Sequence, residues 1–376
     1  ETPNVTVEIW NQPWGDYFTK LQTLWAAGDA EGIPDVLFLF PVPSYAADGV
    51  LENLDPFIEA SGYDLGDYWP GVVDTTSFEG SVYGFPRDIG LNVLYYNKAH
   101  FDEAELDYPD ETWTWTEFSE AAEALKQVES SGRVSRYALG LEGGTYWSWV
   151  LSNGGTILDD MFNPSRCGLA DPESVEAITY FADMMNNDQA MRDANLNQAG
   201  GDSAVFQGEQ VSMIIQNARR VPAFNAAGMP YDVAPLPVAP GGERVAAGSG
   251  AAWTMSSYSD NKDTAWQFIE YLQAAEGGQE VYISTGEIMP PTRSAAESDA
   301  FLASGQPPEN RQAFITQAEH TTPAFNGWFA EWNELSGTLI NPVMAEIWAG
   351  TADPAEVLPG LCEDVDAYLA TNGYPK

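Results

Sequence analysis

The sequence predicts an α/β protein folded as two lobes around a cleft. Three observations carry that prediction. The chain has 376 residues, more than one ordinary hydrophobic core accommodates. It opens strand, helix, strand, the start of a sheet flanked by helices. It is broken at three points where it passes between lobes, which makes each lobe discontinuous and leaves a cleft with a multi-strand hinge.

Residues 5–9 (Val-Thr-Val-Glu-Ile) alternate apolar and polar side chains, as a half-buried strand does. Tyr17, Phe18, Leu21, Leu24 and Trp25 then share one helical face, and Gly28 marks the stop. After Pro34-Asp35 the continuous apolar run 36–40 suits a strand covered on both sides. Further strands are expected at 82–85, 91–96, 137–141, 211–215 and 251–255. Thr114-Trp115-Thr116-Glu117 reads as a capping box, with Trp115, Phe118, Ala122 and Leu125 on the face that follows. Two more stripes are Val175, Ile178, Ala182, Met185 and Ala265, Phe268, Ile269, Leu272. A late helix carries Leu335, Leu339, Val343 and Ile347, with a kink expected at Pro342. The breaks fall at 107–110, at the Pro/Gly-rich stretch 235–242 and near 319–323. They divide the chain into a first lobe of 1–109 plus 238–318 and a second of 110–237 plus 319–376.

Composition excludes several function classes. With 56 acidic against 15 basic residues, the formal net charge is −41. Such a surface repels phosphate backbones and anionic membranes, so no nucleic-acid partner is expected. The acids are spread along the chain and read as a solubilising surface. The longest apolar stretch, 36–42, contains Pro41 and is too short to span a bilayer. Any apolar leader is expected upstream of Glu1. Two cysteines and two histidines at remote positions offer no metal spacing, and no cofactor or metal is expected. No Gly-rich phosphate loop, nucleophile elbow or His-Glu-x-x-His motif is present. A glycoside hydrolase needs only two carboxylates, which so acidic a chain offers everywhere without specificity. The 13 Trp, 17 Tyr and 17 Phe suit a carbohydrate cleft, because aromatic faces stack on the C–H faces of pyranose rings. Most of these rings, Trp25 and Trp266 among them, are assigned to packing.

A series of landmarks runs through the chain in order: Pro34-Asp35-Val36, Gly49-Val50-Leu51-Glu52-Asn53-Leu54-Asp55, Gly84-Phe85-Pro86, Leu94-Tyr95-Tyr96-Asn97-Lys98 and the segment 112–118. Phe206-Gln207-Gly208, the segment 261–266 and Gly286-Glu287-Ile288-Met289-Pro290-Pro291 follow. Together they resemble the extracellular solute-binding proteins of ABC importers, in the sugar-binding group that includes maltose-binding protein. The resemblance implies the two-lobed periplasmic-binding-protein fold, each lobe a mostly parallel sheet flanked by helices, with the ligand cleft at the hinge. It implies no enzyme activity. It implies a monomer outside the cytoplasm, held in the periplasm or by a lipid on the outer face of the membrane. Such a protein closes on a mono- or oligosaccharide and delivers it to the membrane permease subunits. An anionic solute is the alternative within this class.

Site residues follow by position. The loop after the first strand offers Asn11, Gln12 and Trp14, with Trp10 either there or in the core. The next strand's loop offers Pro43 and Ser44. Arg87 and Asp88 sit between two apolar runs, as a surface turn or as partners for sugar hydroxyls. The second lobe contributes Thr145 and Trp147, with Tyr146 and Trp149 toward the core, then Gln216, Asn217 and Arg219. Arg219 replaces an aromatic residue of maltose-binding protein, which argues against maltodextrin specificity. Gly248 and Ser249 allow close backbone approach. Trp328 is the first choice to stack on a ring, with Trp332 the second. Cys167 and Cys362 share the second lobe, either as a disulfide or as two buried thiols.

Overall fold

The computed structural model describes residues 5–28, 31–187, 189–191, 193–248, 250–323, 328–329 and 331–376. Its strands are β1 (Val36–Leu39), β2 (Ser77–Phe78), β3 (Ser81–Val82), β4 (Gly84–Pro86), β5 (Val93–Asn97) and β6 (Gln127–Val128). They continue as β7 (Val134–Gly140), β8 (Val211–Gln216), β9 (Tyr231–Ala234), β10 (Ala246–Ala247), β11 (Ala252–Met255) and β12 (Thr321–Thr322). Two sheets dominate. One is three-stranded, in the order β1-β11-β4, and the other five-stranded, in the order β6-β7-β8-β5-β9.

The α/β class holds, but strand direction departs from the mostly parallel lobes expected. In the larger sheet only β7 and β8 run parallel, and β5 is antiparallel to both β8 and β9. The smaller sheet is antiparallel throughout its described pairs. The reason is connectivity: β5 and β11 bring the chain to one sheet from the other, and a strand arriving that way can lie antiparallel to its neighbours without a crossover helix.

Two local expectations fail. Residues 5–9 form no strand, and Val5, Val7 and Ile9 are 39, 53 and 88% exposed. An alternating segment becomes a strand when it finds an edge to pair with. The neighbouring edge strand, β1, already gives its Phe38 N–H to the Tyr17 hydroxyl at 3.1 Å. The strand expected at 82–85 is instead split at Tyr83 between β3 and β4. β2 and β3 form a hairpin through Glu79 (φ 50°) and Gly80 (φ 82°), the left-handed pair that a two-residue turn requires.

The helices follow their sequence signals. Helix Trp14–Ala27 buries Leu21 and ends at Gly28, whose φ of 63° lets its N–H reach the Leu24 and Trp25 carbonyls. Helix Trp115–Leu125 carries the complete capping box and buries Trp115, Phe118, Ala122 and Leu125. At the late helix the backbone widens into a π turn at Ser336–Ile340, ahead of Pro342, which cannot supply a helical N–H. Tyr146 and Trp149 lie in the core as expected. Cys167 and Cys362 form a disulfide within the largest hydrophobic cluster. No described helix is long and apolar enough to cross a membrane.

Candidate ligand cleft

The site is organised by one strand. In β1, Leu37 and Leu39 are buried in the core. Phe38 and Phe40 have the opposite parity, so both rings leave the core side, and Phe40 is 37% exposed. The run that reads as covered on both sides is therefore covered on one and lined with aromatic rings on the other.

At the Phe38 end lies a charged cluster. Arg87, just beyond β4, places its guanidinium carbon 4.5 Å from the Phe38 ring centroid and 5.6 Å from that of Tyr282. Trp253 of β11 fills the space between those rings, 5.2 Å from Phe38 and 6.4 Å from Tyr282. Asp88 is 2% exposed and pairs through Oδ2 with Arg87 at 2.5 Å and with Arg219 at 3.3 Å. Arg219 comes from the turn after β8, so this carboxylate bridges residues following strands of the two sheets. Among the described residues, Asp88 Oδ1 and Arg87 Nε are buried without a hydrogen-bond partner. Leaving such groups unpaired is costly, and one acceptor beside one donor suits a ligand hydroxyl, which both donates and accepts. Gly250 permits the arrangement: a Cβ there would stand 1.7 Å from the Asp88 carbonyl oxygen.

At the Phe40 end the cleft opens to about 760 Å3. Pro43, Ser44 and the β2–β3 turn line one side; Phe162, Trp328, Tyr374 and Lys376 line the other. Trp328 is only 4% exposed. Its Nε1 donates to the Pro323 carbonyl at 2.8 Å, Phe162 stacks over it at 6.4 Å and 25°, and Phe40 meets it edge-on at 6.0 Å. The expected stacking tryptophan is thus in the cleft wall, with Phe162 over its ring.

The other expected residues divide. Gln216 is buried, donating to Asp202 Oδ2 at 2.9 Å and accepting from Arg220 Nε at 3.3 Å. Asp202 is itself 1% exposed, and burial pushes its carboxyl up to about 6. Asn217 accepts the Arg219 N–H at 3.1 Å and takes the Tyr95 hydroxyl on its carbonyl at 2.9 Å, which fixes the turn that presents Arg219. The Thr145 hydroxyl donates to the Glu142 carbonyl at 2.8 Å. Trp147 meets Trp332 edge-on at 5.8 Å, and Trp332 is buried. Gly248 packs on β12: its N–H donates to the Thr322 carbonyl, and a Cβ would meet the Thr321 side chain at 2.6 Å. Asn11 is exposed, and Gln12 accepts a hydrogen bond from Lys20. Ser249 and the Trp14 side chain lie outside the described residues.

Sequence reasoning missed Phe38, Phe40, Phe162, Tyr282, Tyr374 and Lys376. For the first two a signal existed, since they are the two aromatics of like parity in the otherwise aliphatic run 36–40. The others reach the site from remote segments and carry no local pattern.

A family model described as bacterial extracellular solute-binding protein matches residues 1–308. The maltodextrin-binding protein of Bacillus subtilis is 26% identical over 357 residues, covering 92% of this chain and 77% of its own. A maltooligosaccharide ABC transporter solute-binding lipoprotein of Streptococcus pneumoniae is 27% identical over 361 residues, covering 90% of this chain and 78% of its own. Among solved structures, the sugar-binding protein MalE of Xanthomonas citri superposes with a TM-score of 0.82 at 25% identity, over 98% of this chain and 91% of that one.

Proposed function

This chain belongs to the bacterial extracellular solute-binding proteins, non-enzymatic transport receptors, and from that premise we propose that it captures a neutral oligosaccharide for an ABC importer. The observation that carries the reading is the pairing of a hydroxyl-binding zone at Arg87, Asp88 and Arg219 with an aromatic zone at Phe40, Trp328 and Phe162, along one face of β1. Polar groups fix the ring hydroxyls and aromatic faces cover the ring C–H faces. The relatives named for maltodextrin and maltooligosaccharide binding support an α-linked glucose chain as the first ligand to try. Arg219 argues against that specificity only where it replaces a stacking ring, and Phe40 and Phe162 supply rings of their own. An anionic ligand is disfavoured because the Asp88 carboxylate already pairs both arginines.

The lobes are proposed to meet along this cleft. Because β5 lies in the five-stranded sheet, we draw the first crossing near Ile89, ahead of the break at 109/110, and keep the proposed crossings near 238 and 319. Asp88 with Arg219, and Phe40 with Trp328, make contacts available only when the lobes are together, so ligand bound between them favours the closed form by its differential affinity. The protein then acts as a monomer outside the cytoplasm, handing its ligand to permease subunits, and a lipid anchor upstream of Glu1 would parallel the streptococcal lipoprotein.

Intrinsic tryptophan fluorescence and thermal shift, across malto-oligosaccharides, galacto-oligosaccharides and sugar phosphates, test the reading. Saturable change with a neutral oligosaccharide is expected, with ~2.7 kcal/mol of added stability at about 100 times Kd. A response confined to sugar phosphates would overturn it.

A further inference from the structure

Residues 157–168 form a hairpin that nothing in the landmark series accounts for. The Leu158–Cys167 bridge and the Gly168 N–H to Ile157 carbonyl bond close its stem. Its tip is braced by two carboxylates: Asp160 accepts the N–H groups of Phe162 (2.7 Å) and Asn163 (3.1 Å), and Asp159 those of Ser165 (2.8 Å) and Arg166 (3.0 Å). The base is tied by the Cys167–Cys362 disulfide to helix Pro354–Thr371, where Asp366 also accepts the Cys167 N–H at 2.6 Å. The tip is tied to the segment after that helix by a reciprocal pair: Lys376 N–H donates to Asn163 Oδ1 (2.6 Å), and Asn163 Nδ2 donates to the Lys376 carbonyl (3.0 Å). So short a loop is thus fixed at both ends, and what it presents is Phe162. That ring is 37% exposed, lines the cleft and lies 25° from the plane of Trp328.

We propose that this hairpin is a ligand-contacting arm whose Phe162 ring stacks on an outer sugar of a bound oligosaccharide, so that it sets the preference for chain length. The inference rests on the oligosaccharide reading above and deepens it. A large apolar ring held partly open to water by a cross-linked scaffold gains nothing from that exposure in the unliganded protein; covering it with a pyranose face removes the cost. Phe162 lies at the Phe40 end, away from the Arg87–Asp88–Arg219 cluster, and so serves a sugar beyond the one the cluster holds. Asn163 and the disulfide are positioning groups that act through Phe162.

The test is a set of dissociation constants for maltose, maltotriose and maltotetraose at 25 °C, on the full chain. Phe162→Ala should weaken maltotetraose by about tenfold (~1.4 kcal/mol) while moving maltose less than about twofold. Phe162→Tyr should keep the wild-type ratio, and Asn163→Ala should shift the ratio in the direction of Phe162→Ala. A general loss of stability would lower all three affinities together and leave the ratio unchanged. Wild-type binding with an unaltered length ratio in Phe162→Ala overturns the arm and spares the oligosaccharide reading. Failure of the wild-type chain to bind any neutral oligosaccharide overturns both.

Discussion

Removing the Cys167–Cys362 cross-link by Cys167→Ala/Cys362→Ala is expected to lower stability by an amount that follows from its span. The bond joins residues 195 apart in sequence. Loop-closure entropy for so long a loop amounts to ~18 cal/mol/K, or ~5 kcal/mol at 25 °C, and native disulfides typically return about 2–5 kcal/mol of stability. Both half-cystines are more than nine-tenths buried, so alanine also removes packed sulfur, in the same direction. Unfolding entropy of ~2.1 cal/mol/K per residue gives ~0.8 kcal/mol/K for a chain of this size, so the melting temperature should fall by about 3–7 °C. Differential scanning calorimetry of the double variant against the wild type measures this directly. A midpoint within about 1 °C of wild type would refute the reasoning, because it would mean the unfolded chain gains no freedom from losing a constraint of this length. The same variant, assayed well below its melting temperature, should also show the length-dependent affinity loss of Phe162→Ala.

Further outcomes follow from the cleft and from two buried titrating groups. Asp88→Asn leaves Arg87 and Arg219 without their shared carboxylate, so neutral oligosaccharide affinity should drop by about tenfold or more while sugar phosphates gain; titration calorimetry with both ligand types decides it. Gly250→Ala drives a methyl group into the Asp88 carbonyl and should cost about 1–3 kcal/mol of stability together with ligand affinity, read by thermal shift and fluorescence titration. Asp202 holds its proton more tightly folded than unfolded, up to about 6 against an ordinary 3.8. Its contribution is therefore present below pH 3.8 and lost as pH rises through about 6. Denaturant unfolding of wild type minus Asp202→Asn should show that slope, worth at most ~3 kcal/mol. His100 is pushed the other way, down to about 4, by burial and then by Arg136. Its contribution is present above pH 6.5 and lost as pH falls through about 4, so His100→Gln should flatten the acid limb of the stability curve.

What the sequence determined by itself is whatever depends on near neighbours in the chain. Helix Trp14–Ala27 and its Gly28 stop, the Thr114–Glu117 capping box and an irregularity at Pro342 all rest on contacts within a few residues, and each is legible from spacing and residue type, although the π turn that the irregularity takes as its form is not. The family is legible too, because its landmarks lie along the chain in order. Where the signal was local but pairing was not, reading failed. Residues 5–9 alternate as a strand should, yet alternation states a preference for an edge without supplying one. Likewise, the aliphatic-aromatic run 36–40 does not say which of its faces is covered.

Tertiary structure alone decided the site. Asp88 pairs with Arg219, 131 positions away, and Trp328 stacks on Phe162 and meets Phe40. Asn163 finds Lys376, and Cys167 finds Cys362. No periodicity encodes such meetings, since each is fixed by where two sheets and their connecting turns come to rest. Trp332 and Gln216, candidates by position, are turned inward by that packing, whereas Phe162, without any local signal, is turned out. A residue's type sets what it can bind, and the burial of its neighbours sets whether it is offered to a ligand.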